Sequence, residues 1–395
     1  MKQTADVVVV GGGIIGCSTA AELAGAGAAV VLVERREIAH GASGRNHGLI
    51  FYPQNPLTDP VYRASHGMYK ALADEGTMNL QLDEHPVGFI ILAAEESDWA
   101  AAEAEAMACK VGGVEVHRLD RRELTEAEPN LNEDLLGGWR IDDGYRLDPA
   151  ALTLAFALMA RLAGAEINTH TEVKQILVKA GRVRGVATDQ GIIDAPVVVD
   201  AAGPWAPKVA RSAGLDLAVL GARGWLLLTR PIEPMCSHLV ESAGWHLLAD
   251  DPGPSEITVG DYSSAEQGPK LDIGMLIQQN AGGNVLLGGS RAITLTEAPD
   301  GHEVARAIAA SAVKALPDLA GVPLAAVWSG VRPMTADGLP FIGWLPGIEG
   351  FFAASGHGGQ GIILGGGSGR LCAQMIMGAE TFTDPTPFRL DRGAP

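Results

Sequence analysis

The stretch Val7-Val8-Val9-Val10-Gly11-Gly12-Gly13-Ile14-Ile15-Gly16 decides the fold of this 395-residue chain. Four consecutive valines are typical of a strand that is buried on both faces of a parallel sheet. The glycines that follow match the pattern G-x-G-x-x-G, and residues Ile14–Ala26 predict a helix. A second strand, Ala28–Val33, ends at Glu34 and completes a βαβ unit. The opening of the chain therefore predicts a Rossmann-like α/β fold with a parallel sheet.

This βαβ unit also predicts a dinucleotide site. Gly11 permits the tight turn, Gly13 lets a pyrophosphate approach the backbone, and Gly16 brings the helix against the strand. Free N–H groups at the start of the helix carry partial positive charge, which suits phosphates. Glu34 can accept hydrogen bonds from ribose hydroxyls, and its charge argues against a 2′-phosphate and hence against NADP. The motif alone does not choose between FAD and NAD.

The composition excludes several classes of function. Hydrophobic residues make up 47% of the chain and charged residues 19%, so a large core is expected and global disorder is excluded. The formal net charge of −18 argues against binding to nucleic acid or to an anionic membrane surface. Four scattered cysteines without a C-x-x-C pair exclude a disulfide scaffold and a cysteine zinc site, and no metal site is expected. We expect a cytoplasmic protein without a transmembrane helix.

Hydrophobic and turn patterns predict further strands and helices along the chain. Asp148 and Pro149 are typical of a helix start. Gly356–Gly361 again spells G-x-G-x-x-G, but no second strand and acid follow it, so we interpret it as a glycine loop that opens on a helix. The predicted strands are Leu82–Leu92, Thr171–Val178, Arg182–Thr188, Pro196–Ala202, Ala222–Thr229, Gly274–Gln279, Asn284–Gly289 and Phe351–Ser355, and the predicted helices are Ser97–Val111, Ala150–Ala163, Glu303–Leu316 and one that ends at Met377.

Five segments in this order resemble the D-amino-acid-oxidase-type FAD oxidoreductases, the superfamily of glycine oxidase, sarcosine oxidase and dye-linked proline or opine dehydrogenase subunits. They are the first glycine motif with Glu34, residues 41–48, Val197–Trp205, Trp328–Gly338 and Ser355–Gly361. The resemblance spans almost the whole chain. It implies an α/β protein with a discontinuous, Rossmann-like FAD-binding domain and a second α+β substrate domain built on an antiparallel sheet. Residues 1–80, 145–215 and 326–395 would form the first domain, and residues 81–144 and 216–325 the second.

The resemblance also implies which residues hold FAD. Non-covalent FAD is favoured, because no cysteine falls in Gly330–Thr335 and the histidine-linked relatives carry a different local pattern. Val173 would meet the adenine through its backbone, and the loop Gly356–Gly361 would lie along the pyrimidine edge of the flavin. The implied cofactor residues are Gly11, Gly13, Ile14, Ile15, Gly16, Glu34, Arg35, Ser43, Arg45, Asn46, His47, Gly48, Val173, Ala202, Gly203, Trp205, Arg332, Gly356, His357, Gly358, Gly359, Gln360 and Gly361.

In such enzymes the flavin performs the difficult step. The implied reaction is oxidation of the C–N bond of a small amine, in particular a D-amino acid or an N-substituted amino acid. Hydride passes to flavin N5, and the resulting imine hydrolyses. The electron acceptor would be O2, a quinone or an electron-accepting protein, and a homo- or hetero-oligomer is compatible with the sequence. The alternatives are a subunit of an amine, proline or opine dehydrogenase, an FAD-dependent 2-hydroxy acid oxidase, and a non-catalytic FAD-bound assembly factor.

Arg332 is the leading candidate for a substrate ligand, because it matches the arginine that pairs with the substrate carboxylate in the glycine-oxidase-like branch. The alternative is an arginine that is salt-bridged to the acidic shell. His47 stands where relatives commonly have glycine; it would contact substrate, tune the flavin or simply pack. Arg291 and Tyr262 complete the catalytic candidates, with packing at least as probable for each.

Three further features of the sequence bear on the substrate site. Trp225 is a weaker candidate for the substrate pocket. Phe51 and Tyr52 occupy the region in which the sarcosine-oxidase-like branch carries an arginine, so that anchor is expected to be absent. Asp142-Asp143 resembles a catalytic carboxylate pair, but the following Gly144 favours a solvated turn.

Overall fold

The computed structural model describes residues 3–53, 55–244, 271–293 and 300–392. The described strands are β1 Gln3–Thr4, β2 Val7–Val10, β3 Val30–Val33, β4 Leu49–Ile50, β5 Phe89–Ala93, β6 Val116–Asp120, β7 Gly137–Ile141, β8 Tyr145–Arg146, β9 Glu166–Asn168, β10 Val173–Lys179, β11 Arg182–Thr188, β12 Gly191–Asp194, β13 Val197–Asp200, β14 Leu220–Thr229, β15 Leu239–Ser242, β16 Leu271–Gln279, β17 Val285–Ile293, β18 Leu324–Met334, β19 Phe341–Trp344 and β20 Phe351–Ser355. The described helices are α1 Ile14–Gly25, α2 Asp59–Glu75, α3 Asp98–Val111, α4 Arg121–Ala127, α5 Pro149–Leu162, α6 Ala206–Ser212, α7 Gly301–Ala315 and α8 Gly361–Met377.

A six-stranded sheet in the order β19-β20-β13-β2-β3-β9 forms the first half of the fold. All neighbouring pairs in it are parallel except β19 with β20. The four valines of β2 are buried, as expected for a strand that is covered on both faces. Strands from both ends of the chain meet here, since β20 lies beside β13 and β13 beside β2. The predicted α/β fold with a discontinuous Rossmann-type sheet is confirmed.

Helix α1 is held between α5 and α8 by very close contacts. Glycines of α8 allow the approach, because a Cβ added at Gly369 would lie 2.6 Å from the carbonyl carbon of Ser18. The Ser18 hydroxyl donates to the carbonyl oxygen of Gly365 at 2.8 Å. On its other side, α8 is fastened to α2: the Tyr69 hydroxyl donates to the Ile362 carbonyl at 2.7 Å and accepts from the Gly366 N–H at 2.9 Å. These contacts fix the start of α1 relative to the sheet.

An eight-stranded sheet, in the order β18-β14-β17-β16-β15-β5-β7-β6, forms the second half. Its pairs are antiparallel except β15 with β5, and α7 packs on it through Val304, Ile308 and Ala312. This is the predicted antiparallel sheet with helices. The predicted domain boundary at residue 326 falls inside β18, which pairs along its length with β14, and the domain boundaries stay a prediction.

Two smaller sheets complete the described chain. One is four-stranded, in the order β1-β12-β11-β10, and contains the predicted hairpin of β10 and β11. The other is the antiparallel pair β4–β8. The four cysteines are free thiols. Among the described helices, none has the length and apolar character needed to cross a membrane.

Short sequence patterns predicted most of the strands and helices. The Asp148 carboxylate accepts from the N–H groups of Ala150 and Ala151 at 2.9 and 3.0 Å, so the predicted start of α5 is confirmed. The predicted strand Leu82–Leu92 is wrong in its first half, because the strand begins only at Phe89. Helix α2 was not predicted at all.

The solvated turn predicted at Asp142-Asp143 is wrong for its second residue. Asp143 is buried, and its carboxylate accepts from the Tyr52 N–H at 2.6 Å. Asp142 is exposed and pairs with Arg140 and His117. Asp143 therefore ties the chain after β4 to the turn before β8, which a count of turn residues could not show.

The contact between α1 and α8 generates a stability prediction. Gly369→Ala should lower the free energy of unfolding by about 1–3 kcal/mol, because the new methyl group would overlap the Ser18 backbone. Urea unfolding followed by circular dichroism measures the change. Gly67→Ala in the exposed middle of α2 is the matched control: its Cβ would meet no atom within 4 Å, so this variant should be equally stable or more stable. Equal effects of the two changes would contradict the packing argument.

Candidate functional site

A long cleft opens at the carboxyl ends of β2, β3 and β13, where open parallel sheets place their ligands. It encloses about 1410 Å³ of empty space, part of it open to solvent. Most of the residues predicted for the cofactor line it. These are Gly11, Gly13, Ile14, Ile15, Glu34, Arg35, Ser43, Asn46, Val173, Ala202, Gly203, Trp205, Arg332, His357, Gly358, Gly359 and Gly361.

The turn from β2 into α1 forms the floor of this long cleft. Gly11 has a φ of 115°, and a Cβ there would lie 2.5 Å from the carbonyl oxygen of Ala201. Gly16 does not line the cleft but lies directly below it, where a Cβ would overlap the Gly11 carbonyl. The Ile14 N–H donates to the Ser43 hydroxyl at 2.9 Å. The first turn of α1 thus presents backbone N–H groups to the cleft at a position that only glycines allow.

The Glu34 carboxylate is fixed at the end of β3. One oxygen accepts from the Gly12 N–H and the other from the Arg36 N–H, both at 2.7 Å. Beside it, the Arg35 guanidinium lies 4.0 Å from the centre of the Trp205 ring. This end of the cleft combines a fixed acid with a cation–π pair.

Residues 41–48 fold around the Asn46 side chain. Its amide nitrogen donates to the carbonyls of Ala42 and Ser43 at 2.9 and 3.0 Å, and its oxygen accepts from the Gly48 N–H at 2.8 Å. Gly48 has a φ of 69° and supports this turn without lining the cleft. Arg45 links the segment to β18, since its Nη1 donates to the Ser329 carbonyl at 3.1 Å.

A second cavity, here called the arginine pocket, continues from the long cleft toward the eight-stranded sheet and encloses about 1400 Å³. Three arginines line it, Arg45, Arg291 and Arg332, and none of its described lining residues is acidic. Arg332 and His357 line both cavities, so the two are continuous. The described lining of this pocket is therefore positively charged, whereas the chain as a whole has a net charge of −18.

Arg332 lies on β18 where the two cavities meet, and it is half-buried. Its Nη1 donates to the Ser290 carbonyl at 3.1 Å, and it crosses over Gly224, where any side chain would overlap it. Burial and the nearby charge of Arg291 lower the pKa of Arg332 to about 10, so it stays charged at neutral pH. Within the described residues no carboxylate lies within ion-pair distance of it, which goes against the salt-bridge alternative.

Two histidines line the cavities, His47 the arginine pocket and His357 both of them. Burial, with a contribution from the Arg332 charge, lowers the pKa of His47 to about 3. Burial alone lowers the pKa of His357 to about 3. Nε2 of His47 and Nδ1 of His357 are shielded from solvent and have no hydrogen-bond partner in the part of the chain that the structure describes. Both rings are therefore neutral at physiological pH, and each has one ring nitrogen to offer to a ligand.

The other predicted residues lie in different places. His47, Arg45, Arg291 and Gln360 line the arginine pocket, whereas Gly356 supports the glycine loop with a φ of 86°. Trp225 does not line the pocket, because its ring packs against Gly301 at the start of α7. Tyr262 lies outside the described residues.

Several lining residues were not predicted. Thr171, Lys174 and Lys208 line the long cleft, and Phe51, Leu226 and Leu276 line the arginine pocket. Of these residues the sequence analysis named only Phe51, which stands in the region where the sarcosine-oxidase-like branch carries an arginine. The others belong to no local motif, and tertiary contacts between segments that are distant in sequence bring them to the cavities.

The lining fits an FAD molecule. The long cleft supplies helix N–H groups for a diphosphate and a fixed acid, Glu34, for ribose hydroxyls. The glycine loop and His357 lie further along the long cleft, and His47 lies in the adjoining arginine pocket; a polar ring edge bound there would give the buried nitrogens of both histidines a hydrogen-bond partner. No described cluster of His, Cys, Asp and Glu side chains could hold a metal ion.

Comparison with known proteins agrees with this geometry. The FAD dependent oxidoreductase family (DAO) matches residues 6–375. Glycine oxidase of Pseudomonas aeruginosa is 28% identical over 389 residues, which cover 97% of each chain. Glycine oxidase of Geobacillus kaustophilus is 30% identical over 401 residues, covering 99% of this chain and 98% of the relative. The crystal structure of the Geobacillus kaustophilus glycine oxidase superposes with a TM-score of 0.84 at 27% identity, over 100% of both chains.

The buried His357 generates a pH prediction. Its pKa of about 3 in the folded protein lies below the unfolded value of about 6.5, so the unfolded state binds the extra proton between these limits. Stability is therefore lost as the pH falls below about 6.5. In His357→Gln, the slope of unfolding free energy against pH should be smaller by about 1.4 kcal/mol per pH unit between about pH 4.5 and 5.5. Urea titrations at several pH values measure this slope.

The control for this experiment is His85→Gln, which changes an exposed histidine. Its slope should match that of the unsubstituted protein. A slope for His357→Gln that also matches would show that His357 does not stay neutral in the folded state.

Proposed function

The chain belongs to the FAD dependent oxidoreductase family, and on this basis we propose that it oxidises the C–N bond of a small carboxylated amine. Its class as an FAD-dependent amine or amino-acid oxidoreductase follows from the family and from the glycine oxidase relatives. The finer proposal is a D-amino acid or an N-substituted amino acid as substrate. The observation that carries it is Arg332, a charged guanidinium without a described carboxylate partner at the junction of the two cavities.

We propose the following roles at the cofactor. The start of α1 and Ser43 would hold the diphosphate, Glu34 the ribose, and Val173 the adenine. The glycine loop before α8 would lie along the flavin. Bound FAD supplies an acceptor at flavin N5 for the hydride of the amine C–H bond. Non-covalent attachment is proposed, since no cysteine falls in Gly330–Thr335 and the histidine-linked relatives carry a different local pattern.

Arg332 would position the substrate. A bidentate pair between its guanidinium and the substrate carboxylate fixes the orientation of the carbon that loses hydride. The Ser290 carbonyl and the closely packed Gly224 already hold the guanidinium in place. His47 is neutral and would act as a hydrogen-bonding partner of the bound molecules, not as an acid. The protein thus contributes orientation and charge, and no acid–base pair is required.

The electron acceptor and the cellular location are also proposals. O2, a quinone or a partner protein would reoxidise the flavin. The four free cysteines, three of them fully buried, support a reducing compartment such as the cytoplasm.

Anaerobic reduction of the purified holoenzyme tests this function. The visible absorbance of the flavin should bleach with at least one carboxylated amine from a panel of D-amino acids, N-methyl amino acids, opines and proline. Bleaching by 2-hydroxy acids alone would replace the proposal with hydroxy-acid oxidation. Failure of every compound to bleach the flavin would favour a non-catalytic FAD protein.

The role of Arg332 can be tested separately. Arg332→Lys should lower kcat/KM for the carboxylated substrate by about ten- to a hundredfold, mainly through KM, because lysine cannot form the bidentate pair. Stopped-flow measurement of anaerobic flavin reduction gives the rate and the apparent substrate affinity. Arg182→Lys, a change of an exposed arginine in the hairpin of β10 and β11, is the matched control. Unchanged kinetics of Arg332→Lys would remove Arg332 from the site.

A further inference from the structure

A buried acid, Asp200, lies directly behind the lining of the long cleft. It is the last residue of β13, and its exposed fraction is 0%. The three residues that follow it, Ala201, Ala202 and Gly203, all line the cleft. Asp200 itself does not line the cleft, so its side chain supports this turn from behind.

The Asp200 carboxyl group has few partners for a group that can carry a full charge. Its Oδ1 accepts from the Ala202 N–H at 3.2 Å, at the long end of the range for such bonds. Its Oδ2 is shielded from solvent and has no hydrogen-bond partner within the described residues. Glu34, at the same edge of the sheet, differs, because each of its oxygens accepts an N–H at 2.7 Å. One sheet edge thus holds an acid with strong partners and an acid almost without them.

The described surroundings of Asp200 are apolar. Val10 of β2 and Ala353 of β20 lie opposite it in the sheet. Its side chain shares a face of the sheet with Val198, which packs in an apolar cluster with residues of α6 and β11. The basic residues of these two packed elements are all exposed to solvent, and they are Lys208, Arg211, Arg182 and Arg184. A charge on Asp200 would therefore have no described counter-charge beside it.

An unpaired charge in such a place is costly, whereas a neutral carboxylic acid is tolerated. Burial raises the pKa of Asp200 well above its ordinary value, and the hydrogen bond from the Ala202 N–H offsets only part of this rise. The proton belongs on Oδ2, since Oδ1 accepts the N–H. A neutral acid also keeps negative charge away from a cleft whose ligand, a diphosphate, is itself an anion.

From this arrangement we propose that Asp200 is a positioning residue of the cofactor site that works as a neutral carboxylic acid. Its Oδ1 holds the Ala202 N–H and thereby the turn that faces FAD, while the proton on Oδ2 spares the diphosphate a neighbouring negative charge. The inference concerns FAD binding alone and does not depend on the proposed substrate. Asparagine has the same shape and is always neutral, so it should replace Asp200 in both respects.

The dependence of stability on pH tests the protonation. The unfolded chain releases the Asp200 proton near pH 3.9, whereas the folded protein retains it, so rising pH favours unfolding. The unfolding equilibrium constant of the unsubstituted protein, divided by that of Asp200→Asn, should therefore increase about tenfold per pH unit between about pH 5 and 7. Urea unfolding of the holoenzyme in a fixed excess of FAD, followed by circular dichroism, gives both constants. A ratio that does not change with pH would overturn the proposal.

The matched control is Asp134→Asn, which changes an exposed aspartate. Its unfolding constant should keep a constant ratio to that of the unsubstituted protein over the same pH range. Should Asp200→Asn fail to fold, infrared spectroscopy of the unsubstituted holoenzyme with isotope-labelled aspartate decides instead. A band of protonated aspartic acid at about pH 7 supports the proposal, because an ordinary aspartate is ionised there, and the absence of this band overturns it.

Affinity for FAD tests the positioning role. The holoenzyme is diluted at about pH 7, and the fluorescence of the released FAD gives the dissociation constant. Asp200→Asn should bind FAD within about twofold of the unsubstituted protein. Asp200→Ala leaves the Ala202 N–H without its acceptor and should bind FAD about tenfold more weakly.

Two results of the FAD measurement would overturn the proposal. A change of about tenfold or more in either direction for Asp200→Asn would show that a neutral side chain of the same shape does not reproduce Asp200. Equal affinities of Asp200→Ala and the unsubstituted protein would show that the Asp200 carboxyl group does not hold the turn for FAD.

Discussion

Backbone-to-backbone contact at the start of α1 is the constraint on which the rest of the structure depends. Gly11 lies against the carbonyl of Ala201, and Gly16 lies against the carbonyl of Gly11, so neither position has room for a side chain. On the far side of the helix, Gly369 approaches the Ser18 backbone just as closely. The helix start is therefore fixed by the sheet on one side and by α8 on the other. The N–H groups that face the long cleft therefore owe their position to main-chain packing.

The charge of the arginine pocket comes from side chains and not from the backbone contacts that fix α1. The surface is strongly acidic, whereas the arginine pocket is positive. At physiological ionic strength, surface charges are screened within about 8 Å, while charges inside a partly dehydrated pocket are screened far less. The carboxylate of the substrate that we propose would therefore be held by the nearby charge of Arg332 and be little affected by the net charge of the molecule.

Features that depend on neighbouring residues could be predicted from the sequence, and features that depend on distant ones could not. The valine run, the glycine turn and the Asp148 cap are local, and each was located correctly. Helix α2 was not predicted, because polar residues and Gly67 interrupt the helical pattern of its buried side chains, which include Tyr62 and Tyr69.

The arginine pocket depends on residues that are distant in sequence. Its three arginines come from the turn after β3 and from β17 and β18. Each had been considered alone, but their grouping depends on the pairing of β14 with both β17 and β18. Trp225 shows why a strand residue is a weak candidate without its register. It follows Gly224, which faces Arg332, and the alternation of the strand turns the indole toward α7.

The pocket also determines what a pH profile of this enzyme can report. The rings of His47 and His357 stay neutral down to about pH 3, and Arg332 stays charged up to about pH 10. The remaining described residues of the arginine pocket are apolar, amide or hydroxyl side chains and two further arginines. Between these limits none of these three groups changes its charge. We therefore expect a rise in the rate of flavin reduction between about pH 6 and 9 to report the substrate amine, which must lose its proton before its nitrogen lone pair can assist hydride transfer.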